Sequence, residues 1–187
     1  MSGAGHALMV GATGMLAPAA RELAGRGWRV SVLARRASAF ASHEPVSGYD
    51  CDYYDEASFR AALARAVARD GPVGLAVAWF HDVKLAAARR LAEAVGEPGA
   101  PGRYIQVLGS AVADPARPDR LATAAAVAEG LDGRLLRQVV LGFRVEDGCA
   151  RWNTNAEISA GVLAAIESDA PLATVGVTSP WSMRPGG

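Results

Sequence analysis

A glycine-rich turn near the N-terminus constrains the fold of this chain more than any other feature. The apolar run Ala7–Val10 has the character of a strand buried on both faces, and the turn Gly11-Ala-Thr-Gly14 follows it directly. Residues 15–26 then repeat apolar side chains at helical spacing. This order of strand, turn and helix predicts a phosphate-binding corner, because a helix N-terminus presents unpaired N–H groups to an anion.

Three small residues give this corner its chemistry. Gly11 permits the tight turn, Gly14 lets a pyrophosphate approach the backbone, and Ala17 completes the pattern Gly-x-x-Gly-x-x-Ala. The pattern alone is weak, but the flanking strand and helix and a second strand at Arg29–Leu33 supply the context it needs. We therefore expect a dinucleotide to bind here. The alternative is a glycine turn in some other α/β protein.

Two arginines after the second strand indicate which dinucleotide to expect. An acidic residue at this point would hold the 2′-hydroxyl of the ribose, whereas arginine accommodates a 2′-phosphate. The chain has Arg35 and Arg36 here, followed by Ser38, and no acid. NADP(H) is therefore favoured over NAD(H). The alternative is that one of the two, most readily Arg36, belongs to a solvated loop.

Apolar runs alternate with helical stretches along the whole chain, which is typical of a parallel sheet. We predict an α/β fold: a doubly wound, mainly parallel Rossmann sheet of about seven strands with helices on both faces, in a single domain over residues 1–187. The later strands are expected at Trp28–Ala34, Gly48–Tyr54, Gly74–Trp79, Arg103–Leu108, Leu135–Leu141 and Leu172–Val177. The later helices are expected at 55–69 with Asp55 as cap, at 83–95, at 119–129, and after a capping box of Thr154 and Glu157.

Composition excludes several classes of partner. Nineteen basic and nineteen acidic side chains balance, which gives no reason to expect nucleic acid or an anionic membrane surface. No apolar run approaches the roughly 18 residues of a membrane span. Cys51, Cys149 and three scattered histidines show no metal-ligand spacing, so we expect no bound metal. We expect a cytoplasmic protein with free thiols, although a single disulfide stays open.

The carboxyl ends of parallel strands meet at one crevice, and two side chains there could carry chemistry. Ser110 could orient a carbonyl group by a hydrogen bond, and His81 titrates near neutral pH and could donate a proton. The alternatives are that the Ser110 hydroxyl satisfies backbone, that His81 flanks a helix, and that water or the substrate supplies the proton.

Several segments resemble the short-chain dehydrogenase/reductase superfamily, in its small atypical members, over nearly the whole chain. They are Gly11–Leu16, Val77–His81, Val107–Ser110, Gln138–Phe143 and Arg151–Ile158. The resemblance implies that Ala78 and Trp79 lie near the adenine ribose and that Ser110 occupies the place of the catalytic serine. Residues 141–143 would edge the nicotinamide. The chain departs from the family at the Tyr-x-x-x-Lys motif, since residues 121–129 contain neither tyrosine nor lysine.

These observations together give the expected site. Ser110 and His81 are the catalytic candidates. The expected cofactor contacts are Gly11, Thr13, Gly14, Met15, Leu16, Arg35, Arg36, Ser38, Asp52, Ala78, Trp79, Gly109 and Phe143. Flat apolar surface for an aromatic substrate could come from Trp79, Phe80, Phe143 and Trp152, although each is more often a core residue. Arg144 and Arg151 could meet an acidic substrate or could be solvated loop residues.

The expected function is NADP(H)-dependent reduction of a ketone, another carbonyl or an imine in a small, heterocyclic metabolite. The Ala- and Arg-rich composition suits a high-GC bacterial source, and hence a tailoring step in specialised, nucleoside-like metabolism. Two alternatives stay open: a catalytically inactive NADP(H)-sensing protein, and a flavin- or tetrapyrrole-type reductase. The expected partners are a small-molecule substrate and a second copy in a homodimer.

Overall fold

A seven-stranded parallel sheet organises the computed structural model, which describes residues 5–81, 86–96, 100–129 and 134–186. Within these ranges the strands are β1 (His6–Val10), β2 (Arg29–Ala34), β3 (Ser47–Asp50), β4 (Val73–Trp79), β5 (Gly102–Gly109), β6 (Arg134–Leu141), β7 (Phe143–Glu146), β8 (Cys149–Trp152) and β9 (Leu172–Val175). The sheet order is β3-β2-β1-β4-β5-β6-β9, and every neighbouring pair is parallel. Strands β7 and β8 form a separate antiparallel hairpin.

Helices cover both faces of this sheet. They are α1 (Ala17–Gly25), α2 (Ala37–Ala41), α3 (Glu56–Asp70), α4 (Ala86–Ala94), α5 (Arg120–Ala125) and α6 (Asn155–Ser168). Helices α1 and α6 pack on one face, and α3 and α4 pack on the other. The predicted fold class, a doubly wound parallel sheet with helices on both faces, is confirmed.

The position of β1 in the middle of the sheet explains why its residues Ala7–Val10 are all apolar. Ala7 and Met9 face the core beneath α1 and α6, while Leu8 and Val10 face the core beneath α3 and α4. Successive strand residues point to opposite faces, so a strand covered on both sides needs apolar residues throughout. The carboxyl end of β1, where the glycine turn begins, therefore lies at the middle of the sheet edge.

Two predicted helix caps are confirmed. The carboxylate of Asp55 accepts hydrogen bonds from the N–H groups of Ala57 and Ser58, at 2.9 and 3.1 Å. Thr154 and Glu157 form the capping box of α6: the Thr154 hydroxyl accepts from the Glu157 N–H, and Glu157 accepts from the Thr154 N–H at 2.8 Å. Each cap satisfies N–H groups that the first helical turn leaves unpaired.

The structure differs from the sequence expectations in several elements. Helix α2 and the β7–β8 hairpin were not predicted. The short third strand expected within residues 48–54 is Ser47–Asp50, and the Asp52 carboxylate accepts from the Tyr54 N–H in the turn that follows it. The last strand ends at Val175, because Gly176 has a φ of 78° and bends the chain. Helix α1 begins at Ala17, so Met15 and Leu16 belong to the turn.

Some expectations fall outside the described residues. The expected start of the helix at 83–95 is one of them, since α4 is described from Ala86. The helix expected over residues 119–129 is α5 followed by a 3₁₀ turn at Ala126–Ala128.

Among the described residues, no helix is long and apolar enough to cross a membrane. Cys51 is buried, Cys149 is exposed, and both are free thiols.

Candidate functional site

The glycine turn borders a cavity of about 750 Å³, the turn cavity, at the carboxyl ends of β1, β2 and β4. Its lining residues are Gly11, Thr13, Gly14, Met15, Ala34, Arg35, Arg36, Tyr53, Trp79 and His81. The structure thus brings together seven of the thirteen expected cofactor contacts: Gly11, Thr13, Gly14, Met15, Arg35, Arg36 and Trp79. His81, one of the two catalytic candidates, lines the same cavity.

The turn itself has the features that an anion site requires. Gly11 has a φ of 74°, a left-handed conformation that favours glycine, and a Cβ atom there would lie 3.1 Å from the Trp79 carbonyl oxygen. A Cβ atom at Gly14 would meet nothing within 4 Å, so this face of the turn is open. None of the described residues accepts a hydrogen bond from the N–H groups of Thr13, Gly14 and Met15. The turn therefore offers free donors to a ligand.

A buried serine that sequence reasoning missed holds this turn in place. The Ser159 hydroxyl on α6 donates to the Met15 carbonyl at 2.8 Å and accepts from the Ala19 N–H at 3.2 Å. Ser159 is 1% exposed. It therefore joins the turn and the start of α1 to a helix that lies 140 residues further along the chain. A lone polar residue on the apolar face of α6 was the available signal.

Arg35 and Arg36 are exposed at the rim of the turn cavity. Neither forms an ion pair with any carboxylate in the described part of the chain. Ser38, in contrast, is engaged elsewhere: its N–H and hydroxyl both donate to Asp50, at 2.8 and 2.5 Å. These two hydrogen bonds lower the pKa of the Asp50 carboxyl, and the bond from the Ser38 hydroxyl has the larger effect. Ser38 does not line the turn cavity.

Four other expected cofactor contacts do not line the turn cavity, because their side chains are buried or engaged in local hydrogen bonds. Leu16, Ala78 and Phe143 are each 0% exposed. Leu16 and Ala78 belong to the two cores of the sheet, and Phe143 lies on β7, where it bridges to Val177. The Asp52 carboxylate is exposed but accepts from the Tyr54 N–H and does not line the cavity. Tyr53, the residue after Asp52, lines the turn cavity instead.

Tyr53 is a cavity residue that sequence reasoning missed. Its ring packs edge-on against Phe80, with centroids 5.3 Å apart, and contacts Tyr54 at 4.9 Å. Burial raises the pKa of its phenol, while the Arg35 charge acts in the opposite direction. The adjacent tyrosines after the third strand were the available signal. Phe80 is 4% exposed and packs on Phe59, so it is mainly a core residue.

A second cavity of about 550 Å³, the α5 cavity, lies between the carboxyl ends of β4 and β5 and helix α5. It is lined by Trp79, Phe80, His81, Leu108, Gly109, Ala111, Val112, Arg117, Asp119, Arg120 and Thr123. Sequence reasoning missed the last four of these. Arg120 donates to the Ala111 carbonyl at 3.2 Å. Among the described residues, the lining side chains of this cavity offer guanidinium, carboxylate and hydroxyl groups, and none of them is a tyrosine or a lysine.

The third cavity, about 250 Å³ and called here the serine cavity, contains Ser110. Its lining residues are Trp79, Gly109, Ser110, Leu141, Gly142, Trp152, Asn153 and Ile158. Gly142 must lack a side chain, since a Cβ atom there would lie 2.1 Å from the Val177 carbonyl oxygen. Both amide hydrogens of Asn153 are used, on the carbonyls of Gly142 and Val175 at 2.8 and 3.0 Å. Its amide oxygen is buried and has no partner among the described residues.

Ser110 is 4% exposed, and its Oγ atom accepts a hydrogen bond of 2.9 Å from Nε of Arg184. The guanidinium of Arg184 lies over two indole rings, 4.9 Å from the Trp152 centroid and 5.2 Å from the Trp181 centroid. Arg184 was not among the expected site residues. No spacing signal could have found it, because it lies 74 residues after Ser110 in an irregular tail.

Trp79 separates the two catalytic candidates. It lines all three cavities, whereas His81 lines the turn and α5 cavities and Ser110 lines only the serine cavity. The rings of Trp79 and His81 pack edge to face with centroids 5.9 Å apart. The structure therefore places His81 beside the glycine turn and Ser110 in a different cavity, with Trp79 lining both.

The two arginines considered for an acidic substrate are already paired. Arg144 lies 3.1 Å from Glu157, and Arg151 contacts Glu157 and Glu146 at 2.9 and 2.5 Å. Hydrogen bonds from Arg151 hold the pKa of the Glu157 carboxyl well below its usual range. These pairs link the hairpin to the start of α6. Among the described residues there is no cluster of three or more metal-ligating side chains.

Comparisons with known proteins identify the fold. No protein-family model matches the sequence, and no curated protein matches it. An actinorhodin polyketide ketoreductase crystallised with NADPH is 20% identical and has a TM-score of 0.67, covering 92% of this chain and 96% of that chain. A metagenomic short-chain oxidoreductase in complex with NADP is 20% identical, with a TM-score of 0.63 and coverages of 95% and 98%.

A third structure extends the comparison to another cofactor. The 3-ketoacyl-(acyl-carrier-protein) reductase from Brucella melitensis, complexed with NADH, is 14% identical, with a TM-score of 0.67 and coverages of 93% and 97%. All three align over nine-tenths or more of both chains, so the likeness includes the strand order and the helices on both faces. The fold of this chain is that of the short-chain dehydrogenase/reductases.

Proposed function

We propose that the protein is an NADP(H)-dependent oxidoreductase that reduces the carbonyl group of a small metabolite. The turn cavity carries this proposal. It joins a turn with free N–H donors to Arg35 and Arg36, two exposed guanidiniums without ion pairs among the described residues. A dinucleotide with an additional 2′-phosphate needs this combination. Nicotinamide nucleotides bound to three proteins of the same fold support the proposal.

The residues present fit such a cofactor. The open face at Gly14 leaves room for a pyrophosphate against the backbone, and the two arginines would take the 2′-phosphate. The unpartnered amide oxygen of Asn153 would accept from a carboxamide, a donor group that the nicotinamide carries. Tyr53 would provide a flat wall near the arginines.

The chain's own groups would then orient the substrate and supply a proton. Reduced nicotinamide, when bound, supplies a hydride to the carbonyl carbon. The Ser110 oxygen already accepts from Arg184, so its own O–H is free to donate to a carbonyl oxygen in the serine cavity. His81 lines the two larger cavities, on the other side of Trp79, and would supply the proton that this oxygen finally needs through water rather than by direct contact.

The finer substrate class follows from the walls of the serine cavity. Trp79 and Trp152 line it, and Trp152 is 41% exposed. Indole surfaces of this kind favour a flat, aromatic or heterocyclic ketone or imine. We extend the proposal to a tailoring reaction in specialised, nucleoside-like metabolism, on the basis of composition alone. We also propose a cytoplasmic, homodimeric protein.

A turnover assay tests the proposal. Loss of NADPH is followed with a panel of aryl ketones, cyclic imines, quinones and free flavin. We expect turnover of aryl ketones or imines. Preferential turnover of flavin would instead favour a flavin-type reductase.

A second candidate function is an NADP(H)-sensing protein without catalysis. Two observations favour it: α5 carries no tyrosine or lysine, and Arg184 is bonded to the only serine at the crevice that the sequence analysis put forward as catalytic. Such a protein would bind NADPH, turn over no member of the panel, and change its affinity for a partner with the NADP⁺/NADPH ratio.

A further inference from the structure

We infer that Arg184, oriented by its hydrogen bond to Ser110, forms a carboxylate-binding subsite, so that the substrate is a small carbonyl compound bearing a carboxylate, such as an aryl keto acid. This inference deepens the proposed function and rests on it, because the ligand of the subsite is a substrate only if the protein is an oxidoreductase. Two contacts support the inference: Arg184 Nε donates to Ser110 Oγ at 2.9 Å, and the Arg184 guanidinium lies over the Trp152 ring, where Ser110 and Trp152 both line the serine cavity.

The first step of the argument concerns which groups this pair offers to a ligand. A guanidinium has five N–H donors and no acceptor. The bond from Nε uses one donor of Arg184, and the Ser110 O–H is the donor proposed for the substrate carbonyl, so four N–H groups of Arg184 remain for another ligand group. The pair thus presents donors, and the matching ligand group is one that only accepts. A carboxylate is such a group, with two oxygens and about four lone-pair sites.

The second step concerns charge. Every other arginine around the hairpin and α6 is neutralised: Arg144 and Arg151 contact Glu157, and Arg26 contacts Glu167. No carboxylate in the described part of the chain lies within ion-pair distance of Arg184. The guanidinium of Arg184 instead lies over two indole rings. Such a cation gains most from an anion that arrives with the ligand.

The third step concerns shape. The Trp152 and Trp181 rings lie against the guanidinium, and Nε is occupied by Ser110. A ligand therefore approaches in the plane of the guanidinium, toward the Nη1 and Nη2 atoms. These two nitrogens form the fork that pairs with both oxygens of a carboxylate. The serine cavity, at about 250 Å³, has room for a small aryl group beside Trp79.

Matched ligands and variants test the inference. Binding of benzoylformate and of its methyl ester is measured by quenching of tryptophan fluorescence and by calorimetry, without nucleotide and with saturating NADP⁺. We expect the acid to bind about tenfold or more tightly than the ester. R184Q and R184K should lose about tenfold or more for the acid, because the first lacks the charge and the second lacks the fork. Binding of the ester should change by less than about twofold.

Controls separate this inference from the proposed function and from misfolding. R60Q, at an exposed arginine on α3, should bind acid and ester as the wild type does. NADPH affinity of R184Q and R184K should also match the wild type, and both variants should unfold in a single cooperative transition, with a midpoint lowered only by the loss of the guanidinium contacts. NADPH binding without any preference for the acid, or an acid affinity that survives R184Q, would overturn the subsite and leave the proposed function standing. Binding of the acid through Arg184 without NADPH binding would leave an anion site and overturn the proposed function.

Discussion

A Cβ atom on Gly109 would lie 3.2 Å from Cη2 of Trp79, so the indole lies directly against the carboxyl end of β5. The carbonyl of the same tryptophan lies 3.1 Å from where a Cβ of Gly11 would be. Two glycines therefore make room for one large residue. Its position explains why three cavities meet at Trp79 and why His81 and Ser110 lie in different ones.

Replacing Trp79 by alanine should join the cavities. We expect the variant to prefer a bicyclic aryl ketone over its monocyclic analogue about tenfold more than the wild type does, since added apolar contact in a pocket contributes about 1–3 kcal/mol. The measurement is the ratio of the two kcat/KM values. The control W28A changes another half-buried tryptophan, before β2 at the opposite edge of the sheet. An unchanged ratio in W79A would show that the indole does not bound the substrate site.

Ser110→Ala and His81→Ala test the two catalytic candidates separately. Each should lower kcat by about 10² to 10⁴, the usual contribution of a positioned acid–base or hydrogen-bonding group. NADPH affinity should stay within about twofold, because neither change removes a phosphate contact. His43→Ala, at an exposed histidine that lines none of the three cavities, is the control. Wild-type turnover in either active-site variant would remove that residue from the mechanism.

Tyr104→Phe should leave stability unchanged or raise the free energy of unfolding by about 1 kcal/mol. The Tyr104 ring is fully buried on β5, and its hydroxyl has no partner among the described residues. Burial accordingly raises the pKa of this phenol. Removing an unsatisfied buried hydroxyl removes its desolvation cost and little else. Urea denaturation measures the effect, with Y49F as control, since the Tyr49 hydroxyl donates to Asp70 at 3.5 Å. A loss of more than about 1 kcal/mol in Y104F would reveal a partner for the hydroxyl.

His6 should make stability fall in mild acid. Its ring is buried, with Nδ1 donating to the Gly71 carbonyl at 2.8 Å and Nε2 2.9 Å from the Ser31 hydroxyl, which in turn donates to Asp70. Burial is the main cause that lowers the pKa of His6, and Arg29 acts in the same direction, against Gly71 and Asp70. The unfolded chain therefore binds a proton more readily than the folded one. Stability is full above the unfolded pKa of about 6.5 and is lost as the pH falls below it.

Thermal midpoints from pH 8 to 5 measure this dependence. His6→Gln should flatten it, whereas His43→Gln, at an exposed histidine, should reproduce the wild-type slope. Since β1 begins at His6 and the cavities lie at the other end of the sheet, NADPH affinity at pH 8 should be the same in all three proteins. An equally steep slope in H6Q would assign the dependence to other groups.

The parts of the fold that repeat locally were predictable from sequence. Strand β1 was predictable from its run of apolar residues. The caps of α3 and α6 were predictable because each depends on a side-chain hydrogen bond to a residue no more than three positions away. The β7–β8 hairpin was missed although Asp147 and Gly148 carry its signal: both have positive φ, 51° and 77°, as a two-residue hairpin turn requires. Helix α2 has only five residues, which is too short to show the helical repeat of apolar side chains.

The candidate site was predictable only where its residues directly follow a strand of the sheet. Arg35, Arg36 and the glycine turn lie together because each follows a strand whose neighbour in the sheet is known from the fold. Arg184, Asn153 and Ser159 reach the site from elements far apart in sequence, through single hydrogen bonds that no pattern records. Ala78 and Phe143 were assigned by resemblance, and burial in the core excludes their side chains.

Nucleotide titration of the wild type and of the double variant R35A/R36A tests the central claim most directly. Nicotinamide fluorescence is followed as NADPH and then NADH are added, with R60A as the control for loss of an exposed arginine. We predict that the wild type binds NADPH at least about tenfold more tightly than NADH and that the double variant loses this preference while keeping its affinity for NADH. Tighter binding of NADH by the wild type, or no binding of either nucleotide at millimolar concentration, would contradict the account.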